Sequence, residues 1–246
     1  MSRSPTRTLQ VINTQALTPN MQRLTLGGEK MANFPAGQEG VYIKLMFPQD
    51  SNDKPLVRTY TIIQQRSNEL DVDFVLHSPP HGPASTLAIN AKIGDQVMLS
   101  GPGAKKSVYT EADWFFIAGD MTALPAISVI LKNLPKSAKG YVVLEIIDDA
   151  DRQSLILPDD MEVHWVTTKT SETALNDKVK SLPFLAGSPS VWVACEFSTM
   201  RSLRKYFKIE HGIEKKALYI SSYWKKGLAE DKHKLVKRED AEGQSN

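Results

Sequence analysis

Arg58, Tyr60 and Thr61 fall within the run PLVRTYTII. Its β-branched and aromatic residues make that run a strand. Side chains alternate along a strand, so Arg58 and Tyr60 share a face. A guanidinium fork can donate two parallel hydrogen bonds to a pyrophosphate. A tyrosine two residues on can pack against a planar ring and hydrogen-bond a polyol. Thr61 points the other way, with its backbone amide within reach of a ring edge. The same residues also suit a surface strand with a snorkelling arginine, and four residues taken alone favour that plainer reading.

Two further stretches carry chemistry. In HGPAS, His81 to Ser85, a glycine precedes a helix start. Gly82, Ala84 and Ser85 would present backbone N–H groups, a hydroxyl and a positive dipole end to an anion; plain helix capping needs the same residues. In AGDMTALPAI, Ala118 to Ile127, a buried strand ends and a helix begins. Ligands of open α/β sheets bind at that edge. Gly119 would permit close backbone approach and Thr122 would offer a hydroxyl at the helix start; plain N-capping by Asp120 or Thr122 needs the same residues.

Other chemistries lack their residues. No GxGxxG opens the second half, and GPGAKK lacks the third glycine. GxxxxGK[ST], HExxH, paired CxxC and GxSxG are all missing, which removes the P-loop, zinc and simple hydrolase readings. No metal site is expected. The single cysteine, Cys195, forbids an intramolecular disulfide and suits a reducing compartment; its flanks suggest a small buried hydrophobe rather than a reactive thiol. With no secretory h-region and no apolar window of membrane length, the expected location is cytoplasmic, away from membranes. A net charge of +2 is too mild to argue for nucleic acid. A monomer is the default expectation.

The elements that must position these residues change character along the 246-residue chain. QRLTLGG, VYIKLMF, LVRTYTII, ELDVDFVLH and DQVMLSG are short strands punctuated by turn residues. In ELDVDFVLH, Leu70, Val72, Phe74 and Leu76 alternate with Asp71 and Asp73, which predicts one wet face. One short helix is expected, opened by Pro83 and closed by Gly94. Residues 1–107 therefore read as a small antiparallel β-barrel. From Trp114 the runs WFFIAGD, YVVLEII, VHWVT, VWVACE and ALYIS are continuously apolar, as strands buried on both faces of a parallel sheet are. Helices over 122–134 and 198–210, the second stopped by Gly212, separate them. Residues 108–246 read as an α/β domain with a mostly parallel sheet. From Lys225 to Arg238 lie six basic residues, Lys225, Lys226, Lys232, Lys234, Lys237 and Arg238, against Glu230 and Asp231. They predict a basic helix entered by Tyr223 and Trp224, with DAEGQSN as a disordered tail.

In this order and spacing, RTYT, DVDFVLH with GPAS-T-LA, GD-TALPAI, the Glu–x–S–x–x–R–x–L–R helix and YIS-YWKKG with AEDKHK resemble the siderophore-interacting protein family over about residues 5–238. That family comprises FAD-dependent ferric-siderophore reductases on a ferredoxin–NADP reductase-like fold. The resemblance implies FAD bound by Arg58 on the pyrophosphate, Tyr60 on the isoalloxazine and ribityl chain, and Thr61 near N5. It implies further FAD contacts from Asp73, Val75, Leu76 and His77, chiefly through backbone groups, and phosphate contacts from Gly82, Ala84 and Ser85. Asp120, Thr122 and Ala123 would lie near the flavin, as would Tyr223 and Trp224. Gly119, Leu124, Cys195, Glu196 and Ser198 would line the NADH or NADPH path. Thr61, Tyr60 and Trp224 would take part most directly in catalysis, and the six basic residues of the C-terminal segment would attract an anionic ferric siderophore.

The chain departs from the family at Ile63, Met121, Cys195 and Ser222, where an arginine, a glutamate and two glycines are usual. These departures bear on local charge and on the shape of the nicotinamide and flavin pockets. Ferredoxin is a possible alternative donor. Two other readings stand beside the reductase: another flavin reductase on the same fold, and a non-enzymatic siderophore-binding protein.

Overall fold

The computed structural model describes residues 5–49, 54–77, 79–228 and 230–242. They form two compact units: Met1–Lys106 with Ala150–Gln153, and Ser107–Asp149 with Ser154–Asn246.

In the first unit, six antiparallel strands close into a barrel: β1 (Thr6–Thr18), β2 (Met21–Gly27), β3 (Tyr42–Phe47), β4 (Leu56–Arg66), β5 (Glu69–Val75) and β6 (Gln96–Ser100). Their order around the barrel is β1-β2-β5-β4-β3-β6, and β6 pairs back onto β1. Closure leaves no sheet edge exposed. Leu24, Ile43, Leu45, Ile62, Val72 and Phe74 fill the interior. Strand β1 has no counterpart in the sequence reading. Its run TRTLQVINTQALT offers only Leu9 and Val11 to the core, and its register shifts between Val11 and Asn13. Too few apolar residues alternate there to mark a strand.

The structure corrects the expected wet face of β5. Asp71 and Asp73 are 4% and 6% exposed. Arg23 on β2 holds Asp73 through two hydrogen bonds, 2.6 and 2.8 Å. Arg66 holds Asp71 in the same manner at 2.8 and 2.7 Å, and Thr25 adds a third bond at 2.9 Å. Long arginine stems from neighbouring strands cover what the alternation alone would leave in water. The helix α1 (Pro83–Asn90) ends before Gly94.

In the second unit, β7 (Trp114–Asp120), β8 (Lys139–Ile146), β9 (Asp160–Thr167), β10 (Pro189–Glu196) and β11 (Leu218–Trp224) form a wholly parallel sheet in the order β11-β10-β7-β8-β9. Every residue of β7 is buried. The chain builds outward from β7 to β9, then crosses back to add β10 and β11 on the other side. The strand order therefore reverses between β7 and β10, which opens a crevice at their carboxyl ends.

Four helices flank the sheet: α2 (Leu124–Lys132), α3 (Ala174–Ser181), α4 (Phe197–Arg204) and α5 (Glu230–Glu242). Helix α3 buries only Ala174, Leu175 and Val179, too sparse a stripe to read in advance. The helix expected over 198–210 is α4 followed by a π-helical turn, Lys205–Glu210. Helix α5 takes in the first residues of the expected tail, while 243–246 lie outside the described residues. No helix among the described residues is long and apolar enough to cross a membrane.

Candidate functional site

On the barrel, the pairing of β4 places RTYT. Strand β4 pairs with β5 over Ile62–Arg66 and with β3 over Leu56–Thr61. A register shift between Ile62 and Gln64 marks the change; bulges of this kind re-aim a strand beside functional sites. Arg58 lies opposite Leu45 and Tyr60 opposite Ile43, both core residues. Arg58 and Tyr60 thus occupy the inward side of β4, the side of Ile62, rather than an ordinary outer surface. The Tyr60 ring rests on Phe74 with centroids 4.4 Å apart, and Arg58 Nη1 donates to the Val57 carbonyl at 2.8 Å. Thr61 takes the opposite face.

The neighbouring residues of β5 and α1 are partly committed to the fold. The Asp73 carboxylate belongs to Arg23; burial pushes it up, and Arg23 opposes that rise. Leu76 donates its N–H to Asn20 O at 2.9 Å. The Ser85 hydroxyl, buried, donates to Val75 O at 3.2 Å and so ties α1 to β5. His77 is exposed. Helix α1 starts after Gly82 with no side-chain cap and no acidic residue in its first turn. A Cβ at Gly82 would meet nothing within 4 Å, so open space borders these amides. The uncapped start of α1, with no acidic residue in its first turn, and the Arg58 guanidinium on β4 are each chemically suited to phosphate.

In the second unit, the crevice at the carboxyl ends of β7 and β10 gathers residues far apart in sequence. Asp120 Oδ1 accepts from Thr122 N at 2.9 Å and from Thr122 Oγ1 at 2.5 Å. Asp120 Oδ2 accepts from Trp224 Nε1 at 2.7 Å. The backbone N–H of Glu196 also favours the carboxylate, while burial pushes its pKa up. Glu145, opposite Asp120 in the β7–β8 register, is raised to about 7, by burial first and by Asp120 next. The Glu145 carboxylate accepts from Leu175 N at 3.3 Å, at the start of α3.

Gly119 serves packing here. A Cβ would stand 2.7 Å from both Ala194 O and Ala123 Cβ, so only glycine lets α2 and β10 approach β7 this closely. Glu196 caps α4, accepting from Ser198 N and Thr199 N, and its other oxygen accepts from Lys226 N at 3.2 Å. Ala123 and Leu124 are buried at the start of α2. Cys195 is 1% exposed, and burial beside Asp120, Glu145 and Glu196 pushes its thiol well up; any nucleotide contact there would run through its backbone. Tyr223 turns from Trp224 toward Trp192, ring centroids 6.4 Å apart.

The six basic residues expected to act together make different local contacts. Lys225 lies over the Phe197 ring, 4.4 Å from its centroid. Lys226 pairs with Glu172, Lys234 with Glu230 and Arg238 with Glu242. Lys237 donates to Ser221 Oγ at 2.6 Å and Ser222 O at 2.9 Å. Lys232 is exposed. The sequence reading missed Arg23, whose partner Asp73 lies on β5, and Glu145, which lies opposite Asp120 of β7 and accepts from Leu175 N at the start of α3. It also gave no role to the basic face of α4, whose three-to-four-residue spacing is legible from Arg201 to Lys208.

A closed antiparallel barrel followed by a parallel sheet with a crevice at its switch point is the ferredoxin-reductase-like class of fold, shared with the solved ferredoxin–NADP⁺ reductase of Plasmodium falciparum at a TM-score of 0.64 and 15% identity over 88% of this chain and 95% of that chain. Within that class, residues 10–57 and 50–106 match the siderophore-interacting FAD-binding domain, and residues 112–227 match the siderophore-interacting protein model. The chain is 34% identical over 248 residues to the ferric vibriobactin reductase ViuB of Vibrio cholerae, covering 92% of this chain and 91% of that one. The solved structure of the siderophore-interacting protein SipS from Aeromonas hydrophila has a TM-score of 0.87 and 30% identity, over 97% of this chain and 99% of that chain. The NADPH-dependent ferric-chelate reductase of Escherichia coli is 23% identical over 89% of this chain and 92% of its own. The chain belongs to the siderophore-interacting protein family, and its first unit is that family's FAD-binding domain.

Proposed function

We propose that this protein is a flavin-dependent ferric-siderophore reductase that takes electrons from NADH or NADPH. The observation that carries the reading is the 34% identity to ViuB across nearly the whole of both chains, in a chain that keeps Arg58, Tyr60 and the open start of α1. Each NAD(P)H would give up two electrons and leave as NAD(P)⁺ and a proton, reducing two Fe(III) chelates to Fe(II). Bound FAD would supply the exchange between a two-electron donor and a one-electron acceptor. Hard siderophore oxygens hold Fe(II) far less well than Fe(III), so reduction releases the metal.

The chain's own part is positional. Arg58, with the amides of Ala84 and Ser85, would hold the cofactor phosphates, and Tyr60 and Thr61 would border its ring system. In the second unit, Asp120 fixes the Trp224 indole, while Glu196 and Ser198 form the α4 start beside which a nicotinamide would lie. Lys225, Lys226, Lys232, Lys234, Lys237 and Arg238 would raise the local concentration of an anionic chelate as a diffuse field, since most are already paired. A cytoplasmic, monomeric enzyme is part of this reading.

The test is an anaerobic visible spectrum of the purified, FAD-loaded protein. Bleaching by NADH or NADPH, reversed by a ferric siderophore, is expected. A flavin spectrum indifferent to the siderophore would point to another flavin reductase. A colourless protein that takes up no added FAD would abandon the proposal in favour of a carrier.

A further inference from the structure

The helix α4 and its π-helical turn carry a stripe of cations along one side: Arg201, Arg204, Lys205 and Lys208. With Lys225 they line an open pocket of about 830 Å³, in which Asp240 of α5 is, among the described residues, the only acidic lining residue. Asp240 engages Arg204 through two bonds, 2.7 and 3.0 Å, and Arg201 at 3.3 Å. Among the described residues, neither Lys205 nor Lys208 has a carboxylate partner. Phe197 forms an apolar wall, with the Lys225 ammonium held against its ring.

This arrangement is unfavourable by itself. Arg201 and Lys205, and Arg204 and Lys208, stand four residues apart, where like charges on a helix repel one another. Arg201 and Arg204 join α4 to α5 through Asp240, and Arg201 lies 6.0 Å from the Phe197 ring centroid; Lys205 and Lys208 are exposed and, among the described residues, serve no ion pair of the fold. The π-helical turn adds a wider backbone turn of the type found at functional sites. The volume falls within the range of small-molecule pockets, and two guanidinium forks beside three ammonium groups match a ligand with several anionic oxygens.

We propose that the pocket on α4 binds a small polyanion bearing two or more phosphate or carboxylate groups. The pocket is built from residues of the second unit alone and shares Ser198 and Lys225 with the proposed reductase, but polyanion binding does not require the reductase reading. Asp240 acts as an internal competitor that holds the two guanidinium groups until the ligand arrives.

Isothermal titration of the full-length protein with sodium pyrophosphate, and separately with sodium citrate, at 50 mM and 300 mM NaCl tests this. At least one is expected to bind with a submillimolar Kd at the lower salt, and to weaken severalfold at the higher. Lys205→Glu with Lys208→Glu should weaken it at least tenfold, whereas Lys136→Glu with Lys139→Glu, both exposed and distant in sequence, should leave it unchanged. Tighter pyrophosphate assigns the ligand to phosphates, and tighter citrate assigns it to carboxylates. Failure of both anions to bind below 10 mM would overturn the proposal, as would equal weakening by the two charge-reversal pairs. No iron, flavin or electron donor enters the experiment, so its failure leaves the reductase proposal standing.

Discussion

The indole of Trp224, at the end of β11, donates to Asp120, at the end of β7, across 104 residues of sequence at 2.7 Å. Strand β10 lies between those two strands in the sheet, so this bond ties the second unit's last strand to its first over the crevice. Asp120 is buried with its donors distributed over both oxygens. Asp120→Asn would turn one oxygen into an NH₂ group facing a donor. The expected loss is about 1–3 kcal/mol, read by urea unfolding, with a shift in tryptophan emission as Trp224 is released. Unchanged stability and emission would show that the bond constrains neither residue.

Glu145 sets a pH dependence. Its folded pKa of about 7 lies above its ordinary 4.5. Between those values the folded state binds more protons than the unfolded one, so this group's contribution to stability falls as pH rises from about 4.5 to 7 and levels off above. Glu145→Gln should remove that slope and gain about 1–3 kcal/mol relative to wild type at pH 8 over pH 5. Urea unfolding of both proteins at the two pH values reads Glu145 together with its repulsion of Asp120, which Glu145→Gln also relieves. A constant difference between them would refute the assignment.

Much of the architecture was legible because burial patterns are written locally. Trp114–Asp120 reads as a doubly buried strand from its own seven residues, and RTYT announces a strand from β-branching alone. What stayed hidden depends on partners elsewhere in the chain. Strand β1 is stabilised by pairing with β2 and β6, which its polar sequence does not reveal. Asp71 and Asp73 look solvated until Arg66 and Arg23 arrive from adjacent strands. Gly119 looks like room for a ligand, yet Ala194 O and Ala123 occupy that room. The basic residues after Trp224 look like one patch, but Lys237 turns inward to Ser222, while Lys225 joins the cations of α4 and its π-helical turn in one pocket.

Arg23 and Asp73 offer a direct measure of a partly buried ion pair. The arginine side chain is 25% exposed and the aspartate 5%. Arg23→Ala leaves a buried carboxylate without its partner, which should cost roughly 2–4 kcal/mol, toward the lower end for buried pairs because the arginine is partly wet. Arg23→Leu combined with Asp73→Leu should recover most of that loss. A double variant as unstable as Arg23→Ala would mean that the position needs the charges themselves.

Helix α5 is held to β11 by buried His233, whose Nε2 lies 2.8 Å from Ser222 Oγ, and by Lys237. Burial lowers the His233 pKa first, with Lys237 and Lys225 adding to the effect and Glu230 and Glu196 opposing it. The unfolded state thus binds more protons, and the contribution of His233 is lost as pH falls from about 6.5 through its lower folded value. Amide hydrogen exchange over 230–242, corrected for intrinsic rates, should quicken at pH 5 relative to pH 7. His233→Asn should lose that pH response. Equal protection at both pH values in wild type would exclude the histidine as the anchor.

Arg58 and Tyr60 separate charge from packing in the proposed cofactor site. Arg58→Ala removes a fork suited to phosphate, and a charge-assisted hydrogen bond is worth about 1.5–3 kcal/mol, so the Kd for FAD should rise roughly 10- to 150-fold. Tyr60→Phe keeps the ring that rests on Phe74 and removes only the hydroxyl, so it should weaken FAD binding by about tenfold or less. Tyr60→Ala would also strip packing from the barrel core and confound the comparison. Fluorescence titration of the FAD-free protein gives both constants. An Arg58→Ala variant that binds FAD as tightly as wild type would detach Arg58 from the cofactor and return RTYT to the scaffold of the barrel.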